Sequence, residues 1–133
     1  MTNILTMLIP KAKVDYLYSD YTIRQALEKM YAHSYGTIPV IDRKTGKYIR
    51  SVNQGDFLSY ILVNKIDFNK FEKLPLDAIK ESRVIKPVYS TANINDLKET
   101  ILNQNYVPVV DDNDVFIGIV TRSSVMSKYL NLK

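Results

Sequence analysis

The sequence predicts an α/β protein built from two copies of one strand–helix–strand–strand–helix unit. Three observations carry this expectation. First, a block of text occurs twice. Thr22-Ile23-x-x-Ala26-Leu27-x-x-Met30 leads to Ile38-Pro39-Val40-Ile41-Asp42 and then to Tyr48-Ile49-x-x-Val52-Asn53-x-x-Asp56-Phe57. It returns as Asn93-Ile94-x-x-Leu97-x-x-x-Ile101, Tyr106-Val107-Pro108-Val109-Val110-Asp111 and Phe116-Ile117-Gly118-Ile119-Val120-Thr121-x-x-Ser124-Val125. Repetition on this scale marks a supersecondary unit that buries its apolar face against a neighbour. Second, the apolar spacing runs through the same order of helical and strand periods in both halves. Third, Pro39 and Pro108 each stand in a β-rich run and precede two β-branched residues and an Asp. Proline cannot donate to a ladder and is confined to a strand edge or start, so its double occurrence argues against chance.

The elements follow in order. Ile4, Leu5, Leu8 and Ile9 read as a short amphipathic helix stopped near Pro10. Lys13 to Tyr18 alternates through Val14, Tyr16 and Tyr18 and reads as a strand. Thr22 caps a helix carrying Ile23, Ala26, Leu27, Met30 and Tyr31 at helical spacing. Thr37 to Ile41 and Lys47 to Val52 are strands joined by the turn-forming Asp42-Arg43-Lys44-Thr45-Gly46. Phe57, Leu58, Ile61 and Leu62 mark a second helix. Lys65 to Arg83 has no Gly or Ser run and carries Phe68, Phe71, Leu74, Leu76 and Ile79, so this connector is expected to pack down. The second half repeats the scheme: Val84 to Tyr89 extended, a helix from Asn93 to about Gln104, strands at Val107 to Val110 and Val115 to Val120, and a final helix from Thr121 to Leu130. The expected division is a first motif with its N-terminal helix over 1–64, a connector over 65–83 and a second motif over 84–133.

With 133 residues the chain suits one compact domain, able to bury roughly two-thirds of its unfolded surface. The absence of cysteine excludes disulfides, thiolate zinc sites and cysteine nucleophiles. The apolar run within Met1 to Lys11 is too short to span a membrane and has neither a basic leader nor a cleavage site, so a cytoplasmic protein without a membrane partner is expected. The net charge of +4 reads as solvated surface. Lysines and arginines are scattered among acids with no aromatic-interleaved basic stripe, which argues against nucleic acid. The single histidine, His33, has no second histidine, cysteine or Gly-rich phosphate loop beside it; no triad or P-loop can be assembled, and no enzyme or catalytic residue is expected. Asp111-Asp112-Asn113-Asp114 lacks the glycine and terminal glutamate of a calcium loop and reads as a hairpin turn, so no metal is expected.

These motifs resemble a pair of cystathionine-β-synthase (CBS) motifs, the tandem known as a Bateman module. The family pattern is h-P-h-h-D, a turn, then G-h-h-T/S-x-x-D-h, and the likeness covers Val14 to Leu130. The second copy keeps Gly118 and Thr121 but has Ser124 where the family has aspartate. The first keeps Asp56 but has Arg50 for the glycine and Asn53 for the threonine. The resemblance implies an α/β fold with pseudo-two-fold symmetry that binds adenine nucleotides between its copies, with no cofactor. Within the family, bacterial proteins made of a CBS pair alone, some of them cyclic di-AMP sensors, are similar in text: Lys13-Val14, Ser34-Tyr35-Gly36-Thr37-Ile38-Pro39, Ile66-Asp67-Phe68-Asn69-Lys70-Phe71 and Thr121-Arg122. Ser123 stands where a second arginine is common. This resemblance ranks cyclic di-AMP first and AMP, ADP or ATP next. It also implies a separate effector protein, with an alarmone synthetase or a metabolic enzyme as candidates, that docks according to ligand state. A module with empty clefts that serves only protein interaction is the third reading.

The candidate ligand residues follow from local chemistry as well. A strand ending at Val120 feeds a helix that begins at Thr121 to Ser124, and a helix start presents unpaired N–H groups to an anion. Thr121, Ser123 and Ser124 add hydroxyls and Arg122 a bidentate fork; alternatively Thr121 only caps the helix and Arg122 is solvated. At the first-copy junction, Asn53 and Asp56 fit capping and a ribose contact equally. The other wall is expected from Lys13-Val14-Asp15 on the first strand and Tyr35-Gly36-Thr37-Ile38 entering the second. Val14 and Ile38 would form the apolar slot for a base, Gly36 would allow close approach, and Lys13 would meet phosphate opposite Arg122. The alternatives are Tyr35 in the core, Gly36 in a turn and Lys13 on the surface. A homodimer is expected, since Phe57, Ile61, Val125, Met126 and Tyr129 give the helices more apolar surface than one pair hides.

Overall fold

The computed structural model describes residues 3–33 and 36–131, the side chains of 33 and 129–131 excepted. The chain divides into two compact units. One comprises Asp15–Val84, and the other joins Met1–Val14 to Ile85–Lys133. Each contains one copy of the repeat together with a segment donated from outside that copy.

The unit Asp15–Val84 holds β2 (Leu17–Tyr18), α1 (Ile23–His33), β3 (Thr37–Ile41), β4 (Tyr48–Asn53) and α2 (Gln54–Asn64). They follow β1 (Ile9–Pro10), which belongs to the other unit. The sheet order is β2-β3-β4, with β2 parallel and β4 antiparallel to β3. Helix α1 starts in a reciprocal cap: Thr22 N–H donates to Gln25 Oε1 at 2.9 Å and Gln25 N–H to Thr22 Oγ1 at 3.2 Å. Its buried Ile23, Ala26 and Met30 pack with Leu17, Ile38, Val40, Val52 and Phe57. Removing each large side chain from water contributes about 1.5–3 kcal/mol. Phe71, Leu76 and Ile79 from the connector complete this core, and Leu76 N–H donates to the Tyr21 carbonyl at 2.8 Å.

The other unit has β5 (Val88–Tyr89), α3 (Ile94–Asn103), β6 (Tyr106–Val110), β7 (Phe116–Thr121) and α4 (Arg122–Asn131). Its sheet runs β1-β7-β6-β5, with Ile9 opposite Ile119 and Pro10 opposite Gly118. Ile4 and Met7, from a single tight turn over Ile4–Met7, join Ile94, Leu97, Ile101, Val107, Val109, Val120 and Val125 in the core. Asn93 and Asp96 form the capping box of α3. Asp111 shapes the hairpin turn, its carboxylate accepting from Asn113 N–H at 2.8 Å and Val115 N–H at 3.0 Å.

Four expectations change. The N-terminal helix is one 3₁₀ turn, and Ile9–Pro10 form an edge strand on β7 instead. The strand expected over Lys13 to Tyr18 shrinks to Leu17–Tyr18: Lys11–Lys13 form a tight turn, and between Val14 and Asp15 the chain passes from one unit to the other. Phe57 and Val125 are core residues, 1% and 6% exposed, because the first turn of each helix lies against its own sheet; they offer no dimer surface. Finally, Pro39 and Pro108 sit within central strands. The neighbouring β2 and β5 are two residues long and meet β3 and β6 only beyond the proline, so no ladder bond is missed.

The copies differ where the sequence departs from the family pattern. Arg50 faces Val40 in the register that sets Gly118 against Val109. At Gly118, φ is +154° and an added Cβ would stand 2.2 Å from the Ile9 carbonyl oxygen, so the close approach of β1 requires glycine. Among the described residues, the corresponding edge of the first copy carries no strand. The Arg50 guanidinium instead donates to the carbonyls of Ile79 and Leu76.

Candidate functional site

Each unit presents a cleft built from the helix that follows the sheet, beginning at its first turn, set against the donated segment. In the unit Asp15–Val84 the cleft measures about 610 Å³, and Asn53, Asp56, Ser59, Tyr60, Asn64, Lys80 and Ser82 are among its polar lining. In the other unit it measures about 390 Å³ and is lined by Thr6, Met7, Leu8, Ser123, Ser124, Ser127 and Lys128. Successive helical turns bring residues three apart onto one face, so Asn53-x-x-Asp56-x-x-Ser59 and Thr121-x-x-Ser124-x-x-Ser127 form matching polar stripes.

The α2 junction is a full capping box. Asp56 N–H donates to Asn53 Oδ1 and Asn53 N–H to Asp56 Oδ2, both at 2.9 Å. Asp56 is only 5% exposed, and its second oxygen accepts Ser82 N–H at 2.9 Å. Gly36 and Thr37 adjoin this junction: Gln54 N–H donates to the Gly36 carbonyl at 3.0 Å, and Thr37 pairs with Asn53. Ile38 is buried in the core of the same unit. Tyr35 lies outside the described residues.

At the α4 junction Ser124 N–H donates to Thr121 Oγ1 at 3.0 Å, and the two hydroxyls meet at 2.8 Å. Thr121 therefore caps the helix, and Ser123 and Ser124 line the cleft. Arg122 turns back: Nε donates to the Ile101 carbonyl at 2.9 Å, and a terminal nitrogen reaches those of Leu102 and Gln104 at 3.3 and 3.2 Å. Cations at these positions complement the unpaired carbonyls ending α3. Lys13 is exposed, and the antiparallel register of β1 carries its turn toward the start of β7, away from Thr121. Lys13 and Val14 belong to the unit that holds Thr121 to Ser124, whereas Asp15, Gly36, Thr37 and Ile38 belong to that of Asn53 and Asp56.

Sequence reasoning missed Ser59, Lys80, Ser82, Thr6, Ser127 and Lys128. The repeated three-residue polar spacing could have revealed Ser59 and Ser127. The pattern Ile9-x-x-x-Lys13-Val14 against Ile79-x-x-x-Arg83-Val84 could have revealed the donated segments. Tyr48, close to this region on β4, has its phenol pushed up to about 12, chiefly by burial and also by the Glu81 charge, against a lowering hydrogen bond with Ser51. Among the described residues, no group of three or more His, Cys, Asp or Glu is placed to hold a metal, and no helix is long and apolar enough to cross a membrane.

The fold matches solved structures over nearly the whole chain. A CbpB protein in complex with cyclic di-AMP shares 20% identity and a TM-score of 0.88, over 98% of this chain and 86% of that one. CbpB of Listeria monocytogenes, also in complex with cyclic di-AMP, gives 23% and 0.83 over 99% and 100%. CBSX2 in complex with AMP gives 22% and 0.76 over 99% and 98%. No curated protein sequence matches. The CBS domain family model matches twice, at residues 8–63 and 79–131. With both copies matched and the Bateman-type α/β repeat in place, this chain belongs to the CBS-domain family.

Proposed function

We propose that the protein is a non-catalytic regulatory module that binds an adenine nucleotide, cyclic di-AMP before AMP, ADP or ATP, and controls a separate protein by docking in a ligand-dependent way. The observation that carries this reading is the polar first turn repeated on both units. Each follows the last strand of its sheet and opens on a cleft with hydroxyls and a lysine, Lys80 in one and Lys128 in the other. Helix starts and lysines suit phosphate, and hydroxyls suit a sugar. The cyclic di-AMP and AMP bound by similarly folded CBS proteins favour the same ligand class. Arg122 is engaged with carbonyls at the end of α3, which moves phosphate recognition toward Ser123, Ser124 and Lys128.

A ligand can shift a docking equilibrium only by its differential affinity for the two states. Homodimerisation fits the apolar side chains exposed at matching places on the two units: Tyr31, Leu58 and Leu62 on one, Leu102 and Met126 on the other. A cytoplasmic setting is part of the same reading. Isothermal calorimetry tests it, with cyclic di-AMP and AMP titrated into wild type and into Thr121→Val. Saturable heat for wild type, weakened by the substitution, is expected. No heat from any adenine nucleotide at millimolar concentration refutes the proposal.

A further inference from the structure

Three tyrosines and two cations form one cluster on the unit Asp15–Val84. Tyr18 stands edge-on to Tyr16 and to Tyr21, with ring centres 5.5 and 5.7 Å away. The Arg43 guanidinium lies 3.9 Å from the centre of the Tyr18 ring. Lys29 Nζ stands 4.8 Å from the centre of Tyr16 and 6.0 Å from that of Tyr21. The rings and Lys29 are half-buried, Arg43 is exposed, and a cavity of about 320 Å³ is lined by Tyr21, Gln25, Glu28 and Lys29.

The repeat shows that the fold does not require this cluster. Tyr21 N–H donates to the Tyr18 carbonyl as Ala92 N–H does to that of Tyr89. Leu17 pairs with Val40 as Val88 does with Val109. In that register the second copy holds Pro87 for Tyr16, Ala92 for Tyr21, Thr100 for Lys29 and, after the hairpin aspartate, Asp112 for Arg43. The same elements form there without the aromatic set.

Nearby carboxylates are already engaged within the chain. Asp20 accepts from Arg43 at 2.7 and 3.0 Å, Glu28 pairs with Arg24 at 2.8 Å, and Asp42 accepts the Thr45 N–H and hydroxyl at 2.7 and 2.8 Å. Among the described residues, Lys29 has no carboxylate partner, and Arg43 keeps guanidinium N–H groups that Asp20 does not use. The Tyr16 phenol is pushed up to about 12, first by its hydrogen bond with Tyr18 and then by burial, so it remains protonated. The two cations occupy ring faces on which a nucleobase or a quaternary ammonium would stack. What the cluster offers outward is N–H and O–H donors.

We infer that this cluster is the docking surface for an acidic segment of a partner protein, whose carboxylates accept from Lys29, Arg43 and the phenols. Tyrosine and arginine held in one geometry dominate many interfaces, because little side-chain freedom is left to lose on binding. The inference gives a surface to the separate effector of the reading above and rests on that reading for the effector alone.

An NMR titration with oligoglutamate, in the absence of nucleotide, tests it. Saturable shifts are expected at Tyr16, Tyr18, Tyr21, Lys29 and Arg43. Lys29→Thr, which installs the residue of the second copy, should weaken affinity about fivefold. Lys98→Thr, which removes the same charge from an exposed position on α3, should weaken it less than about twofold. If Lys29→Thr does not fold, Arg43→Gln replaces it with the same expectation. Equal weakening by the paired substitutions reduces the binding to net charge and overturns the docking surface, as does an absence of shifts at low salt. Oligothymidylate shifting the same residues more strongly than oligoglutamate also overturns it, in favour of nucleic acid. Because nucleotide is left out, failure here leaves the nucleotide reading standing, and failure of the calorimetry leaves this surface standing.

Discussion

Replacing Gly118 by alanine tests how the N-terminal segment is held. An alanine Cβ would lie 2.2 Å from the Ile9 carbonyl oxygen and 3.0 Å from Leu8 Cδ1, at a φ of +154° that side chains rarely adopt. Backbone strain of this kind costs about 1–3 kcal/mol. The clash is with backbone and cannot be relieved by a rotamer, so β1 must shift and its pairing at Ile9 and Pro10 weakens, at about 0.5–1.5 kcal/mol per hydrogen bond. With about 2 kcal/mol of strain and two hydrogen bonds of about 1 kcal/mol each, the sum is about 4 kcal/mol, before any exposure of Ile4 and Met7, which the same segment carries into the core. For a chain of this size that corresponds to a fall in Tm of roughly 10–15 °C. The assay is thermal unfolding by circular dichroism, with Gly36→Ala as the control. Nothing lies within 4 Å of a Cβ at Gly36, and a change below about 0.5 kcal/mol is expected there. If Gly118→Ala loses less than about 1 kcal/mol, β1 is not fixed against β7 in the way described.

Other perturbations follow from single contacts. Lys65 ends α2 in the left-handed conformation with φ 52°, so Lys65→Gly should raise stability by about 0.5–1 kcal/mol in urea denaturation. Arg122→Ala removes hydrogen bonds to the carbonyls of Ile101, Leu102 and Gln104, and should lower stability by about 1–3 kcal/mol, with Arg122→Lys recovering only part of it. Tyr48 has its folded-state value raised to about 12, which favours the neutral phenol in the folded protein. Its stabilising contribution is complete below pH 10 and declines as pH rises from about 10 to 12. Denaturation curves across that window should therefore fall less steeply for Tyr48→Phe than for wild type.

The sheet pairs, the caps and both hairpin turns were legible because each rests on local chemistry repeated in the chain. Asn53 with Asp56 and Asn93 with Asp96 announce helix starts by spacing alone, and Asp111 makes its turn with neighbours up to four residues away. What escaped reading depends on distant partners. Ile9–Pro10 pair with residues near the other end of the chain, and two residues are too few to show a period. The alternation of Val14, Tyr16 and Tyr18 promised a strand, but that stretch crosses from one unit to the other and pairs only at its end. Arg50 read as a departure from the glycine of the family pattern. It is instead the residue that holds a connector where the other copy holds a strand. Arg122 read as a phosphate fork, and its actual partners lie about twenty residues earlier, on carbonyls that no side-chain pattern displays.

The most direct test of nucleotide sensing is the unfolding midpoint of wild-type protein across a panel of cyclic di-AMP, AMP, ADP, ATP and S-adenosylmethionine. A ligand at a hundred times its Kd adds about 2.7 kcal/mol to stability, seen as a rise in Tm of roughly 8–12 °C. The proposal predicts that rise for cyclic di-AMP, with smaller shifts for the mononucleotides. A midpoint unmoved by every adenine nucleotide at millimolar concentration would contradict it.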